Sequence, residues 1–492
     1  MLFDGDRDGK MLDRISDGDG VLTPYLLSNT PCLVAVGGTD DCFSTLKSTL
    51  TESGSLNELK FSDLFEGGDE VRVPVKNARD DAEMMTLAAF FDRLHQNKDN
   101  GIYLKDWHAS ANLRASLSPP LYSVPLAFAD DWFDWFWRRC RGSQDDYRFV
   151  YIGGIGSSTH FHHDVVYSYS WSVNLTGAKE WTLHKPPSCD GIEDASTLVV
   201  VQGVGEAIFV PSGWNHSVKN VVPSQLQRQR EQLQRPAEGI ADVVLSVNHN
   251  WINGFNIYQV WRFLIRELIS VREEMWHIKQ GTSASKEAPE LCMTDAEWTR
   301  HCEVLLQANA RMGLTDMMEL CAGRLLCFMC TAQAVYRSND DEGGIQIGNR
   351  SDDYSESTWA RVFCPAVAAG QPQHHTDDIE RDAAWHKPTI RIGDLRNITR
   401  YWQLNTAPTR MSSDHVPLAP TRVDTATSVA SRKPDDTIST AQFGAASVVT
   451  IVDEMLACPH MINDVLPYLY PGVDIHSTLS TFRDDLRSYI SS

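Results

Sequence analysis

The stretch Thr159-His-Phe-His-His-Asp164 is the part of this sequence best equipped for chemistry. On a strand, His162 and Asp164 stand two residues apart and project from the same face, close enough to hold one cation. A third candidate ligand, His216, follows the tight turn Pro211-Ser-Gly-Trp214. Two imidazoles and one carboxylate on one side of a metal leave its opposite side open, the arrangement used by non-haem Fe(II) oxygenases. A lone His-x-Asp is common by chance. It becomes specific when Gly205-Glu206, Pro211 and Asn215-His216 follow it at this spacing. His163 points to the opposite face and reads as structural. His160 shares the parity of His162 and is the rival ligand; His162 is preferred because it alone makes His-x-Asp with Asp164. The competing explanation for the whole set is a surface polar cluster.

A centre of this kind commonly takes 2-oxoglutarate, whose distal carboxylate is costly to bury unless a cation and a hydroxyl meet it. Lys179 opens an otherwise alternating strand two residues past Gly177, and an interior lysine needs a counter-ion that such a carboxylate would supply. Thr159 could offer the hydroxyl. The alternative for Lys179 is a solvated edge lysine.

These residues need a rigid frame, and 147–253 read as β. Tyr167, Tyr169, Trp171 and Val173 alternate with Ser168, Ser170, Ser172 and Asn174, aromatics on one face and small polar residues on the other. The small side leaves volume for a ligand. Lys179–Leu183 alternates again, and Gly203 and Gly205 bound a strand from Glu206 to Val210. Short strands with turns at this spacing predict a mainly β core, a double-stranded β-helix or cupin-like jelly roll, with flanking helices and a helical C-terminal region. Five segments are expected: a flexible acidic tail over 1–20, a catalytic domain over 21–255, helices over 256–335, a low-periodicity Ser/Thr/Asp/Pro-rich insertion over 336–440, and terminal helices over 441–492. Within the catalytic domain, 81–96 have helical spacing and 129–140 form an aromatic-rich amphipathic segment, expected in the core or at a seam between domains.

Long motifs carry a resemblance as well. HFHHDVVYSYSWSVNLTGAKEWTLHKP, GEAIFVPSGWNHSV and LSVNHNWINGFNIYQVWRFL resemble the Jumonji-C 2-oxoglutarate oxygenases, and among them the type that hydroxylates a lysine of a translation termination factor. Residues 24–34, 103–108, 145–151 and 298–306 share it, so the likeness spans about 21–335, with a weaker echo over 441–465. The resemblance implies that His162, Asp164 and His216 are the iron ligands and that Lys179 and Thr159 contact the 2-oxoglutarate carboxylate. It places Asn250 near iron and cosubstrate, with Asn248 and Ser172 in neighbouring pocket positions. Tyr147 and Tyr151 are either pocket hydroxyls or core. The implied cofactors are Fe(II), 2-oxoglutarate as cosubstrate and O₂. The implied activity is lysyl C-hydroxylation of a protein, with a basic loop of a release factor as partner. Two insertions, 224–241 and 336–440, depart from the family pattern without removing a ligand. One rival is a Jumonji-C histone lysine demethylase, which attacks an N-methyl carbon with the same metal core. The other is a catalytically idle cupin scaffold, which has no need of the triad, Lys179 and Thr159 together.

Composition narrows the partners. The 492 residues carry 44 Lys+Arg against 65 Asp+Glu, a net charge of −21. A surplus of acid argues against direct nucleic-acid binding and against docking on anionic lipid. No apolar run approaches the roughly 20 residues that span a bilayer. The acidic N-terminus does not resemble an export signal, and an odd count of 11 cysteines is not a disulfide framework. A cytoplasmic protein, with a nuclear location open, is the expectation. Asp4 to Lys10 imitates the start of a calcium loop, but Ile15 stands where its bidentate glutamate belongs. Cys327 and Cys330 resemble a zinc half-site in an apolar helical run and read as buried thiols. The sequence does not fix an oligomeric state.

Overall fold

The computed structural model describes residues 12–18, 20–36, 42–77, 79–96, 102–117, 120–141, 147–186, 197–222, 243–279, 293–340, 354–369, 388–391 and 437–491. The calcium-like stretch and 224–241 therefore lie outside the described residues, apart from the end of the former. The chain divides into two compact units, Met1–Asp164 with Ser168–Trp251, and Val165–Tyr167 with Ile252–Ser492.

The first unit is the jelly roll. Its eight central strands are β6 (Arg148–Gly154), β7 (Ser158–His162), β8 (Tyr169–Asn174), β9 (Ala178–His184), β10 (Thr197–Gln202), β11 (Glu206–Val210), β12 (Asn215–Val221) and β13 (Val243–Trp251). The chain passes back and forth between two sheets, so that β11-β8-β13-β6 are neighbours in one and β10-β9-β12-β7 form the other. The larger sheet is extended on one side by β2 (Cys32–Ala35) and β1 (Arg14–Ser16). On the other side it is extended by β5 (Tyr103–Trp107), β3 (Arg72–Lys76) and β4 (Ala82–Thr86).

Alternation along β8 explains how one strand serves both a core and a pocket. Tyr169 and Trp171 are fully buried on the outer face of the larger sheet, where Trp171 stacks on Phe128 with ring centres 5.1 Å apart and Tyr169 meets Trp251 at 5.4 Å. The 129–140 segment forms the helix Trp132–Cys140 and belongs to this apolar layer, with Trp132, Phe133 and Phe136 buried. Asp131 caps the helix by accepting from the amides of Phe133 and Asp134. The opposite face of β8 carries Ser170, Ser172 and Asn174, opposite Asn250, Asn248 and Ser246 of β13. A polar ladder thus lines the interior at one end of the roll. Trp181, Leu183, Ile208, Val210 and Val218 fill an apolar interior beside it.

Four expectations need correction. The tail expected over 1–20 is ordered in part, since Arg14–Ser16 forms β1 and pairs in parallel with β2. Residues 81–96 are not one helix: Ala82–Thr86 pairs with β3 and the helix runs from Leu87 to His95, because the Thr86 side chain accepts from the Ala89 amide and sets its start. The β8 strand begins at Tyr169, since Tyr167 adopts a left-handed φ of 57°. Within 336–440, the long helix Leu314–Asp340 continues past the expected boundary, and the segment Thr358–Phe363 is helical with Trp359, Ala360 and Phe363 buried.

The second unit is helical, with Ile257–Glu274, Asp295–Ala310, Leu314–Asp340, Thr440–Ala457 and Ile475–Ser491 as its longest helices and a small ribbon of β14 (Pro388–Arg391) and β15 (Thr437–Ser439). Buried Glu454 accepts hydrogen bonds from Tyr258 Oη at 2.5 Å and Trp261 Nε1 at 2.8 Å. No single helix among the described residues is long and apolar enough to cross a membrane.

Candidate metal centre and cosubstrate pocket

The side chains of His162, Asp164 and His216 converge, each offering one donor atom within 4.8 Å of the others. His162 and His216 face each other across the β7–β12 pair. That pairing slips: His162 lies opposite His216, but Thr159 lies opposite Val218, so three residues of β7 span two of β12. The bulge changes the parity read from sequence, putting Thr159 on the interior face with His162, while the His160 side chain is exposed. Cys321 and Cys327 are buried in the helix Leu314–Asp340 and Cys330 is half-buried there; among the described residues none of them belongs to a three-ligand cluster.

Both imidazoles are held in one tautomer. A carbonyl only accepts, so His162 Nδ1–H donates to the His160 carbonyl at 2.8 Å and His216 Nδ1–H to the Trp214 carbonyl at 3.1 Å. Each Nε2 keeps its lone pair for a cation. Burial pushes the His216 pKa below the ordinary value, against the pull of Asp164, and so favours the neutral ligand form. Asp164 is anchored at both oxygens: Oδ2 accepts from Ser170 Oγ at 2.7 Å and Oδ1 from Asn250 Nδ2 at 3.1 Å. Asn250 also donates to Ser168 Oγ, which ties the carboxylate to β13. Two imidazoles and a carboxylate of this kind suit Fe(II). Directly after Asp164, Val166 (φ 57°, ψ 16°) and Tyr167 are left-handed without being glycine, a strained conformation typical of functional sites.

The second half of the site is Lys179. It is buried, and its Nζ donates to Ser246 Oγ at 2.5 Å and lies 5.3 Å from the Tyr151 ring centre. Asn220 of β12 is its register partner on the adjacent strand, and among the described residues the buried Asn220 Oδ1 has no hydrogen-bond partner. Among the described residues Lys179 has no carboxylate partner, and burial pulls its pKa down to about 7. A carboxylate ligand would restore the charge balance, so these residues fit 2-oxoglutarate.

Thr159 faces the interior opposite Val218, whereas the hydroxyl bonded to Lys179 is that of Ser246. Asn248 accepts from Ser172 Oγ at 2.7 Å, which places both in the polar ladder. Of the two tyrosines, Tyr147 packs into the core against Phe133, and Tyr151 lines the pocket over Lys179. Ser170 and Ser246 carry no signal of their own as isolated serines. Their place two or four residues from Ser172, Asn248 and Asn250 on alternating strands is the signal that could have found them.

A double-stranded β-helix with this donor set beside a buried, uncompensated lysine defines the class of iron- and 2-oxoglutarate-dependent oxygenases. No family model matches the chain. The 2-oxoglutarate and iron-dependent oxygenase JMJD4 of Danio rerio is 30% identical over 325 residues, covering 58% of this chain and 67% of that protein. The Homo sapiens protein of the same name is 29% identical over 323 residues, with the same coverage. The arginine-specific demethylase JMJ20 of Arabidopsis thaliana is 28% identical over 337 residues, 59% of this chain and 64% of that protein. The chain belongs to the Jumonji-C family of the JMJD4 type, and its cofactors are Fe(II), 2-oxoglutarate and O₂.

Proposed function

We propose that the protein is a cytoplasmic protein lysyl hydroxylase that uses His162, Asp164 and His216 as iron ligands and acts on a basic loop of a translation release factor. The observation that carries the oxygenase chemistry is the pairing of two free imidazole Nε2 atoms and Asp164 with the uncompensated ammonium of Lys179. The choice of a release-factor lysine is supported by the long motif resemblance over 21–335.

Bound iron, with 2-oxoglutarate and O₂, supplies the oxidising power that inserts one oxygen into a C–H bond while the cosubstrate leaves as succinate and CO₂. The chain's residues do the positioning. Lys179 and Ser246 clamp the distal carboxylate, with Thr159, Asn248 and Ser172 lining the same pocket. Asn250 and Ser170 hold Asp164 in its ligating rotamer, and the Trp214 and His160 carbonyls keep the imidazoles turned inward. The apolar interior behind them excludes water from the reacting side chain. His162 is exposed, which leaves that side open to a protein substrate.

A second reading has its own support in the similarity to an arginine-specific demethylase. Demethylation would use the same centre on an N-methyl carbon and release formaldehyde. Mass spectrometry of release-factor and methylated histone peptides after incubation with Fe(II) and 2-oxoglutarate decides between them. Gain of one oxygen on an unmethylated lysine is expected, and loss of a methyl group with no gain of oxygen would overturn the hydroxylase reading. His216→Ala is expected to stop succinate formation. Undiminished turnover in that variant would remove the triad from the mechanism.

A further inference from the structure

Strand β5 slips against β6: Leu104 lies opposite Ile152 and Trp107 opposite Val150, so β5 holds one extra residue between them. Bulges of this kind re-aim a side chain. Here Asp106 sits in the bulge with a left-handed φ of 60°, a conformation aspartate tolerates better than most residues. Its side chain is turned toward Tyr151, whose Oη donates to Oδ1 at 2.8 Å. Neighbouring Lys105 lies 3.8 Å from Asp80 and also feels the Asp106 charge, while among the described residues the exposed Asp106 carboxylate accepts a hydrogen bond only at Oδ1, from Tyr151.

Tyr151 joins this carboxylate to the cosubstrate pocket. One end of the residue lies over Lys179 and opposite Ser246; the other holds Asp106. Burial and then Asp106 push its phenol well above the usual pKa, so the hydroxyl stays a donor throughout the neutral range. Phe149 stacks beside Tyr151 with ring centres 6.3 Å apart at 30°, and His108 meets Phe149 edge-on at 4.8 Å. Both rings are half-buried. A wall of aromatic faces edged by a fixed carboxylate attracts a cation, and offers nothing equivalent to a neutral side chain of the same length.

We propose that Asp106, fixed by Tyr151, on which Phe149 stacks, receives the cationic end of the substrate side chain while its C–H bonds lie at the metal centre. Asp106 is then the residue that selects a lysine over an uncharged chain. The inference rests on the reading of His162, Asp164 and His216 as the metal centre, but its test reads binding rather than turnover.

The probe is a fluorescent nonapeptide with one central lysine in a neutral sequence, and its twin with norleucine, which keeps the chain and lacks the ammonium. Anisotropy titrations with the full-length protein are expected to give about a tenfold preference for lysine, the range of one charge-assisted hydrogen bond. In Asp106→Asn, which retains an acceptor for Tyr151, the preference should fall to about one; Asp106→Glu should keep most of it. If Asp106→Asn does not fold, Asp106→Ser is read in the same way. An unchanged lysine-to-norleucine ratio in the neutral variant, or no preference in the native protein, overturns the proposal. Absence of succinate formation in the native protein would sink the metal-centre reading and leave the ratio as measured.

Discussion

At the scale of single residues, Lys179 has the sharpest consequences. Its amine is met by Ser246 and the Tyr151 ring, and burial holds its pKa near 7 against an unfolded value of 10.5. Between those values the unfolded chain binds the extra proton, so stability of the ligand-free protein rises with pH across that window and the full penalty applies below it. Binding a dicarboxylate requires the charged form. The affinity for 2-oxoglutarate should therefore be flat below about pH 6 and roughly tenfold weaker at about pH 8. Calorimetry with saturating, redox-inactive divalent metal measures this, and a pH-independent Kd would rule Lys179 out as the carboxylate partner. Lys179→Met should stabilise the ligand-free protein below pH 7 by roughly 2–4 kcal/mol and abolish the rise in Tm on adding 2-oxoglutarate. Asn250→Ala removes one of two supports of Asp164 and should weaken metal binding by about 10–100-fold, seen by competition with a chelator, with little change in fold. Lys179 and the candidate triad were legible in the sequence because few other roles put those residue types at that spacing. Ser246 and Asp106 were not, since a serine in a strand is ordinary and Asp106 faces Tyr151 only because of a bulge.

At the scale of elements, alternation made the β core readable and irregularity hid the rest. The aromatic/serine pattern of 167–174 fits a strand with one core face and one pocket face, and β8 has both. Period alone gives no sign of the extra residue in β7, which turns Thr159 inward and undoes the shared parity of His160 and His162. It also failed at 81–96, where apolar positions suit a helix but Ala82–Thr86 folds back as a hairpin on the strand just before it, Arg72–Lys76. Tertiary pairing outweighs local preference there. Packing between strands far apart in sequence sets one glycine. A Cβ on Gly153 would lie 2.5 Å from Ser157 Oγ and 2.6 Å from Tyr103 Cδ2, with Asn220 Nδ2 at 3.0 Å. Gly153→Ala must therefore displace Tyr103 of β5 and break into the Ser157–Asn220 hydrogen bond, next to the β12 residue paired with Lys179. A loss of roughly 1–3 kcal/mol is expected in chemical denaturation, together with weaker 2-oxoglutarate binding. A variant as stable as the native protein would mean that this junction is loosely packed.

At the scale of the whole molecule, the excess of acid becomes a statement about rate. A net charge of −21 attracts a basic peptide from a distance before any specific contact forms, and repels an acidic one. Such steering is screened as the Debye length shrinks from about 10 Å at 0.1 M salt to about 3 Å at 1 M. Local recognition at Asp106 and steering by the whole surface are thus separable by salt. Two peptides with the same central lysine, one with basic flanks and one with neutral flanks, differ only in what the long-range field acts on. Raising salt across that range should lower kcat/KM for the basic peptide by about tenfold or more and leave the neutral-flank peptide within about twofold. Stopped-flow association rates should fall in parallel, with dissociation rates nearly constant, because charge at a distance alters encounter more than the bound state. Equal salt dependence for the two peptides would mean that the acidic surface keeps the protein soluble and plays no part in finding its substrate.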